Sequence, residues 1–157
     1  MAKGQDHPNI NPVVHPPLIA LMFIALAYIL GRFVPLPWAA PTVVRNIGML
    51  LAFFGFLLGI AAFLEFRKAR TTLDPHGSST QIVSSGIYRF TRNPIYLGFL
   101  LMVIGFPLIS GLYWGIVLAP FYMMTMNRLV IGREESYLES KFKNQYASYK
   151  SRVRRWL

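Results

Sequence analysis

Two short clusters of the chain carry the residue types that a ligand site or a reaction needs. The first is the run GIYRFTRNPIYLG, residues 86–98, which combines two arginines, an asparagine and two tyrosines. Pro94 suits the first turn of a helix, where its missing N–H costs nothing, and the remaining amides of that turn can receive an anionic or carbonyl group. The same run is also typical of a plain helix start with interfacial tyrosines and snorkelling arginines.

The second cluster is a pair of adjacent carboxylates, Glu134 and Glu135. Glu135 lies three residues before Leu138, on a stripe that is otherwise apolar and aromatic. Because an unpaired carboxylate is costly on such a face, we expect a cationic ligand or an arginine beside it, with three candidates in the chain: Arg89, Arg92 and Arg128. The alternative is that the pair only stabilises a helix start through the helix dipole.

The composition places both clusters in a membrane protein. Of the 157 residues, 54% are hydrophobic and 14% are charged, and the length suits a single domain. The 16 basic residues outnumber the 6 acidic ones, but they flank apolar segments, whereas a nucleic-acid-binding protein carries them across a polar surface. The absence of cysteine excludes disulfides and a thiolate nucleophile, and the scattered histidines do not indicate a metal site: His7, His15 and His76.

The first half of the chain predicts two membrane-spanning helices. Residues 1–17 contain four prolines and predict an extended amino-terminal arm. The apolar runs at residues 18–34 and 47–64 are each suited to one span. Prolines between the two runs predict a loop at the membrane surface that ends near Asn46: Pro35, Pro37 and Pro41.

A tight hairpin of two further spans is predicted in the second half. No charged side chain occurs in the 35 residues from Asn93 to Asn127. One straight helix of that length would extend about 52 Å, whereas a hydrocarbon core is about 30 Å thick. Pro107, Ser110 and Gly111 favour a turn, so we expect spans at residues 94–109 and 111–127. The prediction is an all-α, polytopic membrane protein with four transmembrane helices.

The distribution of basic residues predicts the orientation. Five lie between Glu65 and Arg92, eight lie from Arg128 onward, and two lie between the first two spans. The positive-inside rule therefore places the polar loop at residues 71–93 and the tail on the cytoplasmic side. The amino terminus lies on the same side if there are four spans.

The tail is predicted to be an amphipathic helix over residues 131–157. Its apolar and aromatic residues recur at intervals of three and four once Glu135 is included: Ile131, Leu138, Phe142, Tyr146, Tyr149 and Val153. Lysines and arginines occupy the other faces. Such a helix can lie on an anionic membrane surface or close over the cytoplasmic ends of the spans.

The two clusters and the tail aromatics together resemble a known group of enzymes. The run RNPIYLG at residues 92–98, followed about forty residues later by Glu134–Glu135 and the spaced aromatics, is similar to the carboxy-terminal signature of the isoprenylcysteine carboxyl methyltransferase and phospholipid methyltransferase group. The similarity covers roughly residues 71–155. In that group the pattern is Arg-His-Pro-x-Tyr, so Asn93 replaces a histidine. Lys143 stands where the group has a glycine after phenylalanine.

This resemblance implies an S-adenosylmethionine-dependent methyltransferase. Its acceptor would be lipophilic, either the carboxylate of a lipidated compound or a lipid amine, methylated at the cytoplasmic face of the cell inner membrane or the endoplasmic reticulum. The implied cofactor-binding residues are Arg92, Asn93, Pro94, Tyr96, Leu97, Gly98, Glu134 and Glu135. Because the sulfonium already activates the methyl group, no catalytic nucleophile is expected in the chain.

The resemblance also suggests residues for the acceptor side of the site. Tyr146 and Tyr149 would wall the pocket from the tail helix. Arg128 or Arg154 would orient an anionic acceptor. The hypothesis requires the Asn93–Pro94 turn and the glutamate pair to converge on the cytoplasmic side of the membrane.

Two functions of other classes stay open on the sequence alone. One is an NADPH-dependent membrane reductase of the sterol-reductase type, whose carboxy-terminal arrangement is similar, although the chain has no glycine-rich dinucleotide fingerprint. The other is a non-catalytic protein whose basic tail binds anionic lipid. Binding of S-adenosylhomocysteine, of NADPH or of neither distinguishes the three hypotheses.

Overall fold

The computed structural model describes residues 15–69 and 81–157, and every regular element within these ranges is a helix. The all-α prediction is therefore confirmed for the described residues. Most of the predicted arm and residues 71–80 of the predicted loop lie outside them. The elements are α1 (Pro16–Phe33), α2 (Thr42–Lys68), a 3₁₀ turn (Gly86–Arg89), α3 (Pro94–Ile109), α4 (Trp114–Met126), a π turn (Asn127–Ile131) and α5 (Gly132–Arg152).

The lengths and composition of the helices identify an integral membrane protein. Helices α1 and α2 and the continuous helix formed by α4 and α5 are long and apolar enough to span a bilayer. In the continuous helix the apolar part is the α4 end, and the charged residues begin at Arg128. Helix α3 is a shorter apolar helix of 16 residues, about 24 Å long, so the count of four spans stays a prediction.

Three helix starts differ from the sequence prediction by two residues or more, and a proline or a glycine explains each. Helix α1 begins at Pro16, two residues inside the predicted arm, with prolines at its first two positions. Helix α2 begins at Thr42, not at residue 47, because Pro41 stands at the N-cap and starts the helix instead of extending the loop. Helix α4 begins at Trp114, not at residue 111. Gly111 has a φ of +80° and its amide bonds to the carbonyl of Leu108, which closes the turn after α3. The predicted span at residues 94–109 coincides with α3.

Glycines bring α2 and α3 into backbone contact. A Cβ atom added to Gly55 would lie 2.5 Å from the carbonyl oxygen of Gly98, and one added to Gly105 would lie 2.7 Å from the carbonyl oxygen of Gly48. Helices within a membrane approach this closely only where small residues face each other. This contact holds the first turns of α3, which carry the first sequence cluster, against a long rigid helix.

A second packing layer joins α1, α3 and α4. Tyr122 of α4 is fully buried, and its ring meets Phe23 of α1 edge to face at 5.7 Å. The Tyr122 hydroxyl donates a hydrogen bond of 3.3 Å to the carbonyl of Tyr96 in α3. The start of α3 is therefore fixed from two sides, by α2 and by α4.

The tail helix ends earlier than predicted. Helix α5 stops at Arg152, five residues before the predicted end at 157, and Val153 is extended with φ −123° and ψ 130°. Residues 153–157, which we call the return segment, run back to the start of α3, where the Arg92 amide donates to the Arg154 carbonyl at 3.0 Å. Those contacts replace the last turns of helix. Within α5, Lys143 has a φ of 42° and marks a kink.

Candidate functional site

The two sequence clusters meet where α3 and α5 begin. Helix α4 runs back alongside α3, and the π turn continues it into α5, so that Glu134 and Glu135 return to the level of the Asn93–Pro94 turn. The Tyr96 hydroxyl donates to Glu134 Oε1 at 2.6 Å, and Arg92 Nη2 lies 3.2 Å from Glu135 Oε1. The turn and the glutamate pair therefore meet, whereas the side of the membrane on which they lie stays a prediction.

Glu135 is a buried carboxylate held by two arginines. Its side chain is 8% exposed. Arg155 donates from Nε to Oε1 at 3.0 Å and from Nη2 to Oε2 at 2.6 Å, and Arg92 adds the third contact. Two guanidinium groups and one carboxylate leave this cluster with one excess positive charge. Such a cluster attracts an anionic group.

Arg92 has an unused donor inside the site. Its side chain is 9% exposed, and Nη1 donates to the Tyr146 hydroxyl at 3.4 Å. Among the residues that the structure describes, its Nε is the buried side-chain nitrogen without a hydrogen-bond partner. A buried donor left unsatisfied costs about 1–3 kcal/mol, so this atom indicates an acceptor that the described residues do not supply.

Glu134 differs from its neighbour in environment. It is held by the Tyr96 hydroxyl and lies next to the carboxylate of Glu135. Burial, and to a lesser extent the charge of Glu135, raise the pKa of Glu134 to about 7, and the Tyr96 hydrogen bond opposes this shift. Glu134 is therefore the carboxyl group of the site that changes charge near neutral pH.

Two tyrosines of α5 form one wall of the site. The rings of Tyr146 and Tyr149 lie 6.2 Å apart at an angle of 61°, and the Tyr149 hydroxyl donates to the Tyr88 carbonyl at 2.7 Å. Burial, and next the charge of Glu135, raise the pKa of Tyr146 to about 12, although the nearby Arg92 opposes this. At neutral pH Tyr146 is a neutral hydrogen-bonding group and not a base.

The return segment closes the site beside the Asn93–Pro94 turn. The carbonyl of Arg155 accepts hydrogen bonds from Asn93 Nδ2 at 2.9 Å and from Thr91 Oγ1 at 3.2 Å. Sequence reasoning missed both Thr91 and Arg155. No local pattern distinguished Arg155 from its neighbour Arg154, because the position of Arg155 depends on where α5 ends.

The other residues predicted for the site lie in four different places. Pro94 is buried at the first position of α3. Leu97 belongs to the core between α1, α3 and α4, and Gly98 faces α2. Arg128 and Arg154, predicted to orient an acceptor, are both exposed. The structure thus gathers Arg92, Asn93, Tyr96, Glu134, Glu135, Tyr146 and Tyr149 and leaves these two arginine side chains on the surface.

The gathered residues present hydrogen-bond donors suited to an anion beside a carboxyl group suited to a cation. Arg92 Nε and the first-turn amides of α3, which have no partner within their own helix, suit a carboxylate. Glu134, when ionised, suits an ammonium group. The tyrosine wall suits a planar ring.

Comparison with known proteins adds an independent finding. The model of the phospholipid methyltransferase family matches residues 43–145, which include both clusters. An uncharacterized protein of Haemophilus influenzae is 42% identical over 66 residues, covering 40% of this chain and 100% of that protein. Protein-S-isoprenylcysteine O-methyltransferase of Schizosaccharomyces pombe is 31% identical over 72 residues, covering 46% of this chain but only 30% of the yeast protein. No solved structure matches the chain.

Proposed function

Since the chain belongs to the phospholipid methyltransferase family, we propose that it transfers a methyl group from S-adenosylmethionine to a lipophilic acceptor at the cytoplasmic membrane surface. The sequence resemblance to this group of membrane methyltransferases is confirmed. The observation that carries the cofactor proposal is the unpaired, buried Arg92 Nε in one site with the titratable Glu134.

The residues of the site fit the groups that this cofactor presents. Arg92 Nε and the amides at the start of α3 would receive its carboxylate, and Glu134 would receive its ammonium group. Tyr146 and Tyr149 would line the adenine, and Asn93 and Pro94 would shape the turn beneath it. Glu135 already contacts two arginines, so its role is to hold them in place.

In the proposed chemistry the chain has to align the methyl donor and the acceptor and does not have to supply a nucleophile. When bound, the cofactor supplies a methyl group that its sulfonium has already activated. The side chains of the site then have to hold the donor, orient the acceptor in line with it and exclude water. The pKa of Tyr146 is raised to about 12, so its hydroxyl keeps its proton at pH 7. Tyr146 is therefore suited to orienting a reactant through a hydrogen bond and not to abstracting a proton.

An apolar groove supports a lipophilic acceptor. A cavity of about 280 Å³ lies between α2 and α3 and is lined by Gly55, Phe56, Gly59, Ile60, Phe63, Ile95, Phe99 and Met102. Its volume is just below the range for ligand pockets, about 300–1,000 Å³, so it suits one hydrocarbon chain better than a whole lipid. Ile95 brings the groove to the first turn of α3, where Pro94 and Tyr96 belong to the site.

Titration of the purified protein in detergent tests the proposal. We expect saturable binding of S-adenosylhomocysteine, no binding of NADPH, and methyl-labelled lipid after incubation with labelled cofactor and a total lipid extract. Binding of NADPH alone would instead support the reductase. Binding of neither would support a non-catalytic lipid-binding protein.

The affinity for S-adenosylhomocysteine should fall as the pH falls through about 7. The pKa of Glu134 is raised to about 7, so above this pH the carboxylate is charged and binds the ammonium group, and below it the charge is lost. Calorimetry from about pH 8 to about pH 6 should show the affinity loss approaching about tenfold per unit below the pKa.

Two variants make the pH dependence specific. Glu134→Gln should bind weakly throughout this range with a flat profile, because the amide cannot ionise. Glu139→Gln is the matched control, since Glu139 is half exposed and its carboxylate pairs with Lys150 and not with a residue of the site. It should retain the wild-type profile. A wild-type affinity that does not change with pH would exclude Glu134 as the ammonium partner.

A further inference from the structure

We propose that Asn93 and Arg155 are positioning residues of the site: Asn93 holds the return segment, and the return segment places the Arg155 guanidinium on Glu135. The consequence for ligand affinity rests on the proposed function. The anchoring of the return segment does not depend on that function and can be measured in the ligand-free protein.

Three consecutive residues anchor the return segment at the start of α3. Thr91 Oγ1 and Asn93 Nδ2 both donate to the Arg155 carbonyl, at 3.2 and 2.9 Å, and the Arg92 amide donates to the Arg154 carbonyl at 3.0 Å. Thr91 is 1% exposed and Asn93 is 9% exposed. Because buried donors are rarely left unpaired, these bonds fix the backbone of the segment on this side.

A separate contact fixes the far end of the segment. Trp156 Nε1 donates to Asn127 Oδ1 at 3.2 Å, which ties the segment to the π turn between α4 and α5. Arg155 lies between the two anchors, and its guanidinium reaches both oxygens of Glu135. The side chain of Arg155 is 37% exposed, so burial alone does not hold it in this geometry.

The position of Arg155 is transmitted to Arg92 through one oxygen atom. Glu135 Oε1 contacts both Arg155 Nε and Arg92 Nη2, at 3.0 and 3.2 Å. If the Arg155 guanidinium no longer contacts Glu135, the Glu135 carboxylate is free to shift. The Arg92 guanidinium then loses its fixed partner. The donor that Arg92 offers to a ligand is then no longer preorganised.

The chemistry of Asn93 explains how it can stand in place of a histidine. Its side-chain amide donates to a carbonyl, and an imidazole N–H can do the same, whereas a carboxylate has no proton to donate. Asn93→His should therefore keep the anchor, and Asn93→Asp, which has nearly the same shape, should lose it when ionised.

Hydrogen exchange and calorimetry on three single variants test the proposal. In ligand-free Asn93→Asp, the Arg92 amide should exchange about tenfold faster than in the wild type, and S-adenosylhomocysteine should bind about tenfold more weakly. Asn93→His should stay within about threefold of the wild type in both measurements. Asn144→Asp makes the same chemical change at an exposed position of α5 and should alter neither.

A second pair of variants keeps the proposal testable if Asn93→Asp does not fold. Arg155→Lys keeps the charge and the backbone anchor but loses the two-pronged contact with Glu135. It should weaken S-adenosylhomocysteine binding about tenfold without changing exchange of the Arg92 amide. Arg152→Lys makes the same change at an exposed position, where the arginine bonds to the Ser148 carbonyl, and as the matched control it should bind like the wild type.

The outcomes separate the anchor from its consequence. Unchanged exchange in Asn93→Asp would overturn the anchor. Faster exchange with unchanged affinity, or wild-type affinity in Arg155→Lys, would overturn the positioning role. If the wild-type protein does not bind S-adenosylhomocysteine, the proposed function and the positioning role both fail, and the exchange rates still decide whether Asn93 holds the return segment.

Discussion

Replacing Glu135 with alanine is expected to weaken S-adenosylhomocysteine binding by at least about a hundredfold and to lower the melting temperature. The carboxylate contacts two arginines, and the Arg92 side chain is only 9% exposed. Removing one partner of a buried ion pair typically costs about 3–5 kcal/mol, because the remaining charge is left without a counter-ion. Membrane insertion should be unchanged, since it depends on the apolar helices. Calorimetry, thermal unfolding in detergent and membrane fractionation measure the three quantities.

Glu139→Ala is the control for this prediction. Glu139 pairs with Lys150 at 2.5 Å, but the two side chains are 47% and 42% exposed. Exposed pairs contribute about 0–1 kcal/mol, so this variant should unfold and bind like the wild type. If Glu135→Ala binds S-adenosylhomocysteine as the wild type does, Glu135 is not part of the cofactor site.

Arg92 was among the predicted partners of Glu135, but Arg155 was not. The prediction of an arginine came from the cost of an unpaired carboxylate on an apolar helix face, which is a local property of the sequence. Arg155 was not predicted as a partner because the apolar spacing continues to Val153, which indicated one helix to residue 157. The chain instead leaves the helix after Arg152, where long-range hydrogen bonds compete with helical ones.

The separate environments of Glu134 and Glu135 were also beyond sequence reasoning. Adjacent residues of a helix point about 100° apart, which sends Glu134 to Tyr96 and Glu135 to the two arginines. Which carboxylate faces which partner depends on the helix rotation at residue 134. The π turn just before α5 changes that rotation. No local sequence pattern predicted this turn.

The parts of the fold that hydrophobicity determines were predictable. The helix start at a proline and the helix contacts at glycines were less so. The apolar run at residues 94–109 coincides with α3. Pro41, interpreted as part of a loop, starts α2. The glycine contacts between α2 and α3 were not predicted, because Gly55 and Gly98 are far apart in sequence and become neighbours only when the helices pack.

Replacing Gly98 with alanine is expected to destabilise the protein by about 1–3 kcal/mol, although the residue was predicted from the sequence to bind the cofactor. A Cβ atom at Gly98 would lie 2.6 Å from the carbonyl oxygen of Gly55. Both groups belong to helix backbones, so relief requires α2 and α3 to move apart. Thermal unfolding in detergent should show a melting temperature lower by several degrees.

Gly59→Ala is the matched control, because a Cβ atom there would have nothing within 4 Å. It should leave the melting temperature unchanged. Gly55→Ala should resemble Gly98→Ala, since its Cβ would lie 2.5 Å from the Gly98 carbonyl oxygen. The double variant should lose less stability than the sum of the two single losses. The first added methyl group moves the two helices apart, so the second then meets less steric overlap. Full additivity, or a wild-type melting temperature in Gly98→Ala, would contradict a shared backbone contact.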